Sequence, residues 1–301
     1  SQMKPGDIAR YLFLAVVWGL SFLVVVKVVD AFGWVGAVTF RALIAAGSLY
    51  LVARLCRRKL DFSAGWRPFA IVGATTVAGQ LIGLSYAAPR IGTAMTAIFV
   101  AAIPLFSMII SQFWGIERAS KQGFAGLALG IGGIALLVGF PAVAVTPEFV
   151  LGCVASILSA LCAAFGSNYA SRHLRQSGNW ETTIGAFLFG GIVTLPMIFA
   201  VPLERIPVAM DYLYLIIAAC LMSVCTYIVY FRLVASIGPT RAISVEFLVT
   251  VIAVLIGATA LGERLSPMQL VGGITIMAGC ALVLNLVPAW MRPRQSVPEI
   301  P

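Results

Sequence analysis

Charge is what this sequence has least of. Only 10% of its 301 residues are Asp, Glu, Lys or Arg, whereas a soluble domain carries about a quarter. It has a single histidine, His173, and its six cysteines include no Cys-x-x-Cys pair. Five of the thiols fall in apolar stretches, where a free Cys behaves as a small apolar residue. Cys56 sits in a basic loop and is expected to stay reduced. No His, Cys and carboxylate cluster has metal-ligand spacing, so neither a protein-held metal nor a cofactor is expected. A membrane hydrolase or transferase would need a nucleophile beside a base, or a metal set. The sequence offers neither, so it does not read as an enzyme.

What fills the chain is apolar. Hydrophobic residues make up 61% of it and the mean hydropathy is +1.02. A bilayer-spanning helix needs about 20 such residues, and runs of that kind recur almost without pause. Spans are expected near residues 9–29, 33–53, 68–87, 92–114, 123–140, 149–171, 181–201, 210–231, 240–261 and 267–287. The fold class is therefore an all-α integral membrane protein of about ten transmembrane helices. The first stretch lacks a small-residue cleavage site and runs into a second span, so it reads as a retained helix and not a signal peptide. The Pro-rich tail cannot bury a core.

The net charge of +9 is placed by topology. Alternate loops hold Lys4, Arg57, Arg58, Lys59, Arg118, Lys121, Arg172, Arg175, Arg241, Arg292 and Arg294, whereas the others hold only Lys27, Arg90, Arg205 and Arg264. By the positive-inside rule both termini are cytoplasmic. The expected location is a bacterial inner membrane. The lipid bilayer is the partner this basicity implies, and nucleic acid is not.

A shift of 146 positions aligns two segments without a gap. Glu117 falls on Glu263, Arg118 on Arg264, Ser120 on Ser266, Gly126 on Gly272 and Gly133 on Gly279. A second echo, "WGLSF" at Trp18–Phe22 and "FGSNY" at Phe165–Tyr169, lies one residue out of that register. The chain thus divides into a five-helix repeat over 1–145, a second over 146–288 and a cytoplasmic tail over 289–301. An odd number of spans inverts the second copy. Inverted repeats are a signature of secondary transporters, which expose a central site to each side in turn. The repeated glycines read as close helix packing.

These motifs carry a resemblance. "WGLSF" followed by Lys27, "RALIAAG" from Arg41 and "LGERLSPMQLVGG" from Leu261 resemble, in order and spacing, the drug/metabolite transporter superfamily and its EamA-type ten-helix exporters. Pro104 stands where that family keeps a fourth-span proline. Its ninth-span Glu-Pro pair is present here only as Glu246, with Phe247 in place of the proline. Within the family the likeness is to exporters of aromatic or broadly neutral amino acids.

Cavity candidates are polar or aromatic residues stranded in spans. Trp18, Ser21 and Phe22 share one helical face, as do Phe165, Asn168 and Tyr169, and filling a helix interface is the plain alternative for each. Glu246 is an intramembrane carboxylate, costly enough to suggest function. It can bind a substrate ammonium, carry a proton as coupling ion, or pair with Arg41, Arg232 or Arg241. Gln80, Tyr86, Thr96, Phe99, Tyr227, Tyr230 and Thr250 are further candidates. Structural or gating roles are assigned to Arg41, Pro104, Glu117, Arg118, Glu263 and Arg264, and His173 reads as a solvated interfacial residue. The expected function is alternating-access export of small metabolites, with neutral or aromatic amino acids foremost. A sugar-phosphate or nucleotide-sugar antiporter of the same superfamily would demand clustered intramembrane cations, of which only Arg41 is evident. A membrane subunit that transports nothing is the remaining alternative.

Overall fold

The computed structural model describes residues 4–115, 120–237 and 245–284. Among them every regular element is helical, with no strand. Apolar side chains on every face leave the backbone to satisfy its own hydrogen bonds, and in lipid a helix does so within one segment.

The first helical run, Pro5–Leu55, is broken only at Gly33 (φ 76, ψ 167), a conformation that essentially only glycine adopts. It therefore makes two crossings, α1 over residues 5–32 and α2 over 34–55. The others follow as α3 (Trp66–Ile91), α4 (Thr93–Phe113), α5 (Lys121–Gly139), α6 (Pro147–His173) and α7 (Asn179–Phe199). Next come α8 over residues 209–237, α9 (Val245–Thr259) and α10 (Pro267–Val283). Seven helical runs among the described residues are long and apolar enough to cross a membrane, and α9 and α10 are shorter apolar helices. Each expected span is matched by one of the ten. Glu117, Arg118 and Arg241 lie outside the described residues, as does the tail.

The repeat is visible in local detail. Ser120 caps α5 by accepting from the Gly123 N–H, and Ser266, in the same place 146 residues on, caps α10 by accepting from Gln269 N–H. Both α3 and α8 contain a wide π-helical turn, Gly73–Gly79 in one and Ile217–Cys225 in the other, again 146 residues apart at their ends. α5 and α10 cross at glycines. A Cβ on Gly126 would lie 2.5 Å from the Gly279 carbonyl oxygen, and one on Gly133 would lie 2.7 Å from that of Gly272. The reciprocal distances are the same, so the crossing is its own mirror under the repeat.

Contacts between corners sort them into two ends. At one end the Asp30 carboxylate meets Arg205, Glu263 meets the start of α4, and Ser266 donates to the Phe140 carbonyl. At the other, Asp61 N–H donates to Glu181, Arg58 lies over the Trp180 ring at 4.5 Å, and Ser236 donates to Asp7. The cationic loop residues Arg57, Arg58 and Lys59 belong to the second end. At the first end, the hydrogen bonds that Arg205 donates to Asp211, and then to Asp30, hold its guanidinium above its usual pKa.

Candidate functional site

A cavity of about 280 Å³ lies between the two halves. α1 contributes Trp18, Ser21, Phe22 and Val25, and α2 contributes Arg41. α3 supplies Gln80, Leu81, Leu84, Ser85 and Ala88, and α4 supplies Thr96, Val100, Ile103 and Pro104. From the second half come Ala163 and Ser167 of α6, Met222, Tyr227 and Tyr230 of α8, and Glu246 and Val249 of α9.

Local structure explains why these groups face inward. Pro104 has no N–H to offer the Val100 carbonyl, so α4 breaks at Ala102 and resumes at Ile103. The Cys280 thiol donates to the nearby Ala101 carbonyl at 3.1 Å. In α8 the π-helical turn adds a residue to the winding, and Ser223 Oγ donates to Ala218 O five residues back. Ser223 in turn accepts from Arg41 Nε at 2.9 Å, while Arg41 Nη2 donates to Met222 O at 3.5 Å. Trp18 packs on Tyr230 (5.5 Å between ring centres) and edge-on against Tyr227 (6.5 Å), whose other side meets Phe187.

Arg41 and Glu246 carry the two opposite charges of the lining, and neither forms an ion pair among the described residues. Of the partners considered for Glu246, Arg41 is thus more than 4 Å away, Arg232 is exposed and Arg241 lies outside the described residues.

Eight of the sequence candidates come together here: Trp18, Ser21, Phe22, Gln80, Thr96, Tyr227, Tyr230 and Glu246. Two residues given structural roles, Arg41 and Pro104, join them. Six candidates do not line this cavity. Tyr86 turns to Trp34 (5.2 Å) and lies under Arg90. Phe99 is fully buried in packing, and Thr250 donates to its own helix at Glu246 O. Phe165 and Tyr169 form a ring stack running from Trp114 to His173, and Asn168 donates to Ser107 and Ala164. The aromatic echo thus lies off the cavity, which α6 lines with Ala163 and Ser167. The gap-free register places Ser167 opposite Ser21, and both line the cavity. It likewise pairs Leu81 with Tyr227, Leu84 with Tyr230, Val100 with Glu246 and Ile103 with Val249, every one of them a lining residue.

Of the residues expected to have structural or gating roles, Glu263 accepts from Thr93 N–H (2.7 Å), Thr93 Oγ1 (3.0 Å) and Ala94 N–H (3.1 Å), capping α4. Arg264 is exposed. His173 stacks on Tyr169 and is exposed. Among the described residues no three His, Cys, Asp or Glu side chains are grouped to hold a metal ion.

The chain is similar to known proteins along its length. EamA-like transporters match the chain twice, over residues 8–139 and 150–285. Protein PecM of Dickeya dadantii is 29% identical over 291 residues, covering 94% of this chain and 93% of its own. The uncharacterized inner membrane transporter YedA of Escherichia coli K12 is 27% identical over 282 residues, with 92% and 90% covered. A probable terminal-alkyne amino-acid exporter of Streptantibioticus cattleyicolor is 24% identical over 290 residues, with 93% and 94% covered. A solved crystal structure superposes with a TM-score of 0.63 over 94% of this chain and 98% of its own, at 18% identity, a likeness of fold. The double match, one copy in each set of five helices, means that this chain belongs to the EamA-like transporter family.

Proposed function

We propose that the protein is a bacterial inner-membrane secondary transporter that exports small metabolites, foremost neutral and aromatic amino acids, by alternating access. The observation that carries this reading is the pairing of the cavity wall. Residues 146 apart, such as Ser21 with Ser167 and Ile103 with Val249, line it from both halves. A site built symmetrically about the centre of two inverted units can be exposed to either side by the same motion run in opposite senses. The moving units in this proposal are residues 1–145 and 146–288, with the termini and the tail from 289 on the cytoplasmic side. A cavity of about 280 Å³ suits a small metabolite. Similarity to an amino-acid exporter over nine-tenths of the chain supports the substrate class.

Glu246 is the residue to which this reading assigns proton coupling. The test is counterflow of a panel of labelled amino acids in proteoliposomes, with empty vesicles and a sugar phosphate as controls. Saturable exchange of neutral amino acids, with pH-dependent flux that Glu246→Gln removes, is the expected result. Exchange of the sugar phosphate alone would overturn the substrate class, and unchanged pH dependence in Glu246→Gln would overturn the coupling.

A further inference from the structure

Ser21 with Ser167 and Ile103 with Val249 match in chemistry as well as position, but other pairs of the cavity wall do not. The repeat partners of Tyr227, Tyr230 and Glu246 are Leu81, Leu84 and Val100. Arg41 has Phe187 as its counterpart, and the Ser223 that holds it has Val77. Every polar member of these pairs sits on α2, α8 or α9, and every apolar member on α3, α4 or α7. Gln80, Ser85 and Thr96 add polar groups on α3 and α4, but at these paired positions both the charge and the phenols come from α2, α8 and α9, an asymmetry that fits an amphipathic molecule.

Arg41 is the polar member whose geometry is most constrained. A guanidinium within a span is costly and is ordinarily paired with an anion, yet Arg41 has none within 4 Å among the described residues. Its Nε and Nη2 edge is fastened to Ser223 Oγ and Met222 O, both on the π-helical turn. That leaves the end-on edge, formed by Nη1 and the second hydrogen of Nη2, for a planar acceptor. Two parallel N–H donors at fixed aim match a carboxylate. On the same wall Glu246 supplies an anion for a cation.

We infer that Arg41 is the receptor for a substrate carboxylate, aimed by the π-helical turn of α8, with Glu246 facing the substrate's ammonium group. The site thereby selects zwitterions over amines or carboxylic acids bearing the same side chain. This rests on the proposed amino-acid transport and names the groups that would read it.

The experiment uses the full-length protein in proteoliposomes, with labelled L-phenylalanine counterflow competed by L-phenylalanine, L-phenylalaninamide and 3-phenylpropionate. Direct binding of the same three probes is read from cavity Trp18 fluorescence. In the wild type the amide and the acid should compete about tenfold or more weakly than phenylalanine, the value of one charge-assisted contact. Arg41→Gln should lose the preference for phenylalanine over its amide while keeping the preference over 3-phenylpropionate. Glu246→Gln should show the reverse. Arg41→Lys, which keeps the charge without the fork, should recover part of the preference, and Ser223→Ala should weaken it. Gel-filtration profile and thermal midpoint monitor folding, and a cross-brace role for Arg41 would lower the midpoint with selectivity intact. Wild-type exchange with amide discrimination unchanged in Arg41→Gln overturns the inference and leaves the transport reading standing. If 3-phenylpropionate binds as well as phenylalanine and only through Arg41, the carboxylate receptor stands while the amino-acid reading falls. If no probe engages the wild type by flux or fluorescence, both are overturned.

Discussion

Removing the Glu263 carboxylate tests the latch that joins the α9–α10 corner to α4. One carboxylate accepts from two successive backbone N–H groups, Thr93 and Ala94, and from the Thr93 hydroxyl. The backbone reaches this position because Gly92 adopts φ +90, and Thr93 is 1% exposed, so water has little access to its N–H. Loss of a helix N-cap costs about 0.5–2 kcal/mol. A buried donor left without an acceptor costs about 1–3 kcal/mol. The two overlap, and the half-buried Glu263 keeps some contact with solvent, so Glu263→Ala should cost about 2–3 kcal/mol. Glu263→Gln retains one acceptor oxygen and should cost about half as much, roughly 1 kcal/mol. Glu263→Asp is one methylene shorter and should resemble Ala. The assay is unfolding of the purified protein in detergent, followed by loss of helical circular dichroism. If all three variants lie within about 0.5 kcal/mol of wild type, the contact is incidental and the capping argument fails.

Gly126→Val should destabilise the α5–α10 crossing by about 1–3 kcal/mol, because its Cβ would meet the Gly279 carbonyl. Gly132→Ala, with nothing within 4 Å, should be neutral by the same unfolding assay. Gly33→Ala should cost about 1–3 kcal/mol through strain at φ 76, ψ 167, lowering the thermal midpoint without altering the cavity. Ser167→Leu should cut amino-acid counterflow severalfold by filling the cavity, whereas Phe165→Leu should change it little. Equal effects of the two would mean that the lining face of α6 is misassigned.

Sequence periodicity was enough to locate every crossing because lipid demands long apolar runs, and the gap-free repeat located the corners. The broken α4 could be expected from Pro104. The π-helical turns could not, since one added residue leaves no mark in a helix that is apolar on all sides. The spacing of Trp18, Ser21 and Phe22 put them on one face of α1, and all three line the cavity. On α6 the aromatic pattern outweighed the register, although rings such as Phe165 and Tyr169 pack equally well against other rings. Tyr86 and Phe99 failed for a related reason. Each lies one helical step from lining residues, Ser85 and Val100, and a step of about 100° turns a side chain into packing. Arg41 was assigned to structure from its motif alone, whereas its contact with Ser223 joins residues 182 apart that no local pattern connects.

The matched π-helical turns also record history. An inserted residue that arose in one half alone would mark only that half, but α3 and α8 each carry a widened turn, and the two turns end 146 residues apart. Matching turns in both copies are what duplication of one five-helix unit that already held the turn would leave. Such a unit on its own would have to insert in both orientations and pair with an inverted copy about a two-fold axis, its glycine-lined fifth helix meeting its twin. Two copies joined in one chain are free of that constraint, and each wall can differ, as it does where one half has leucine and valine and the other tyrosine and glutamate.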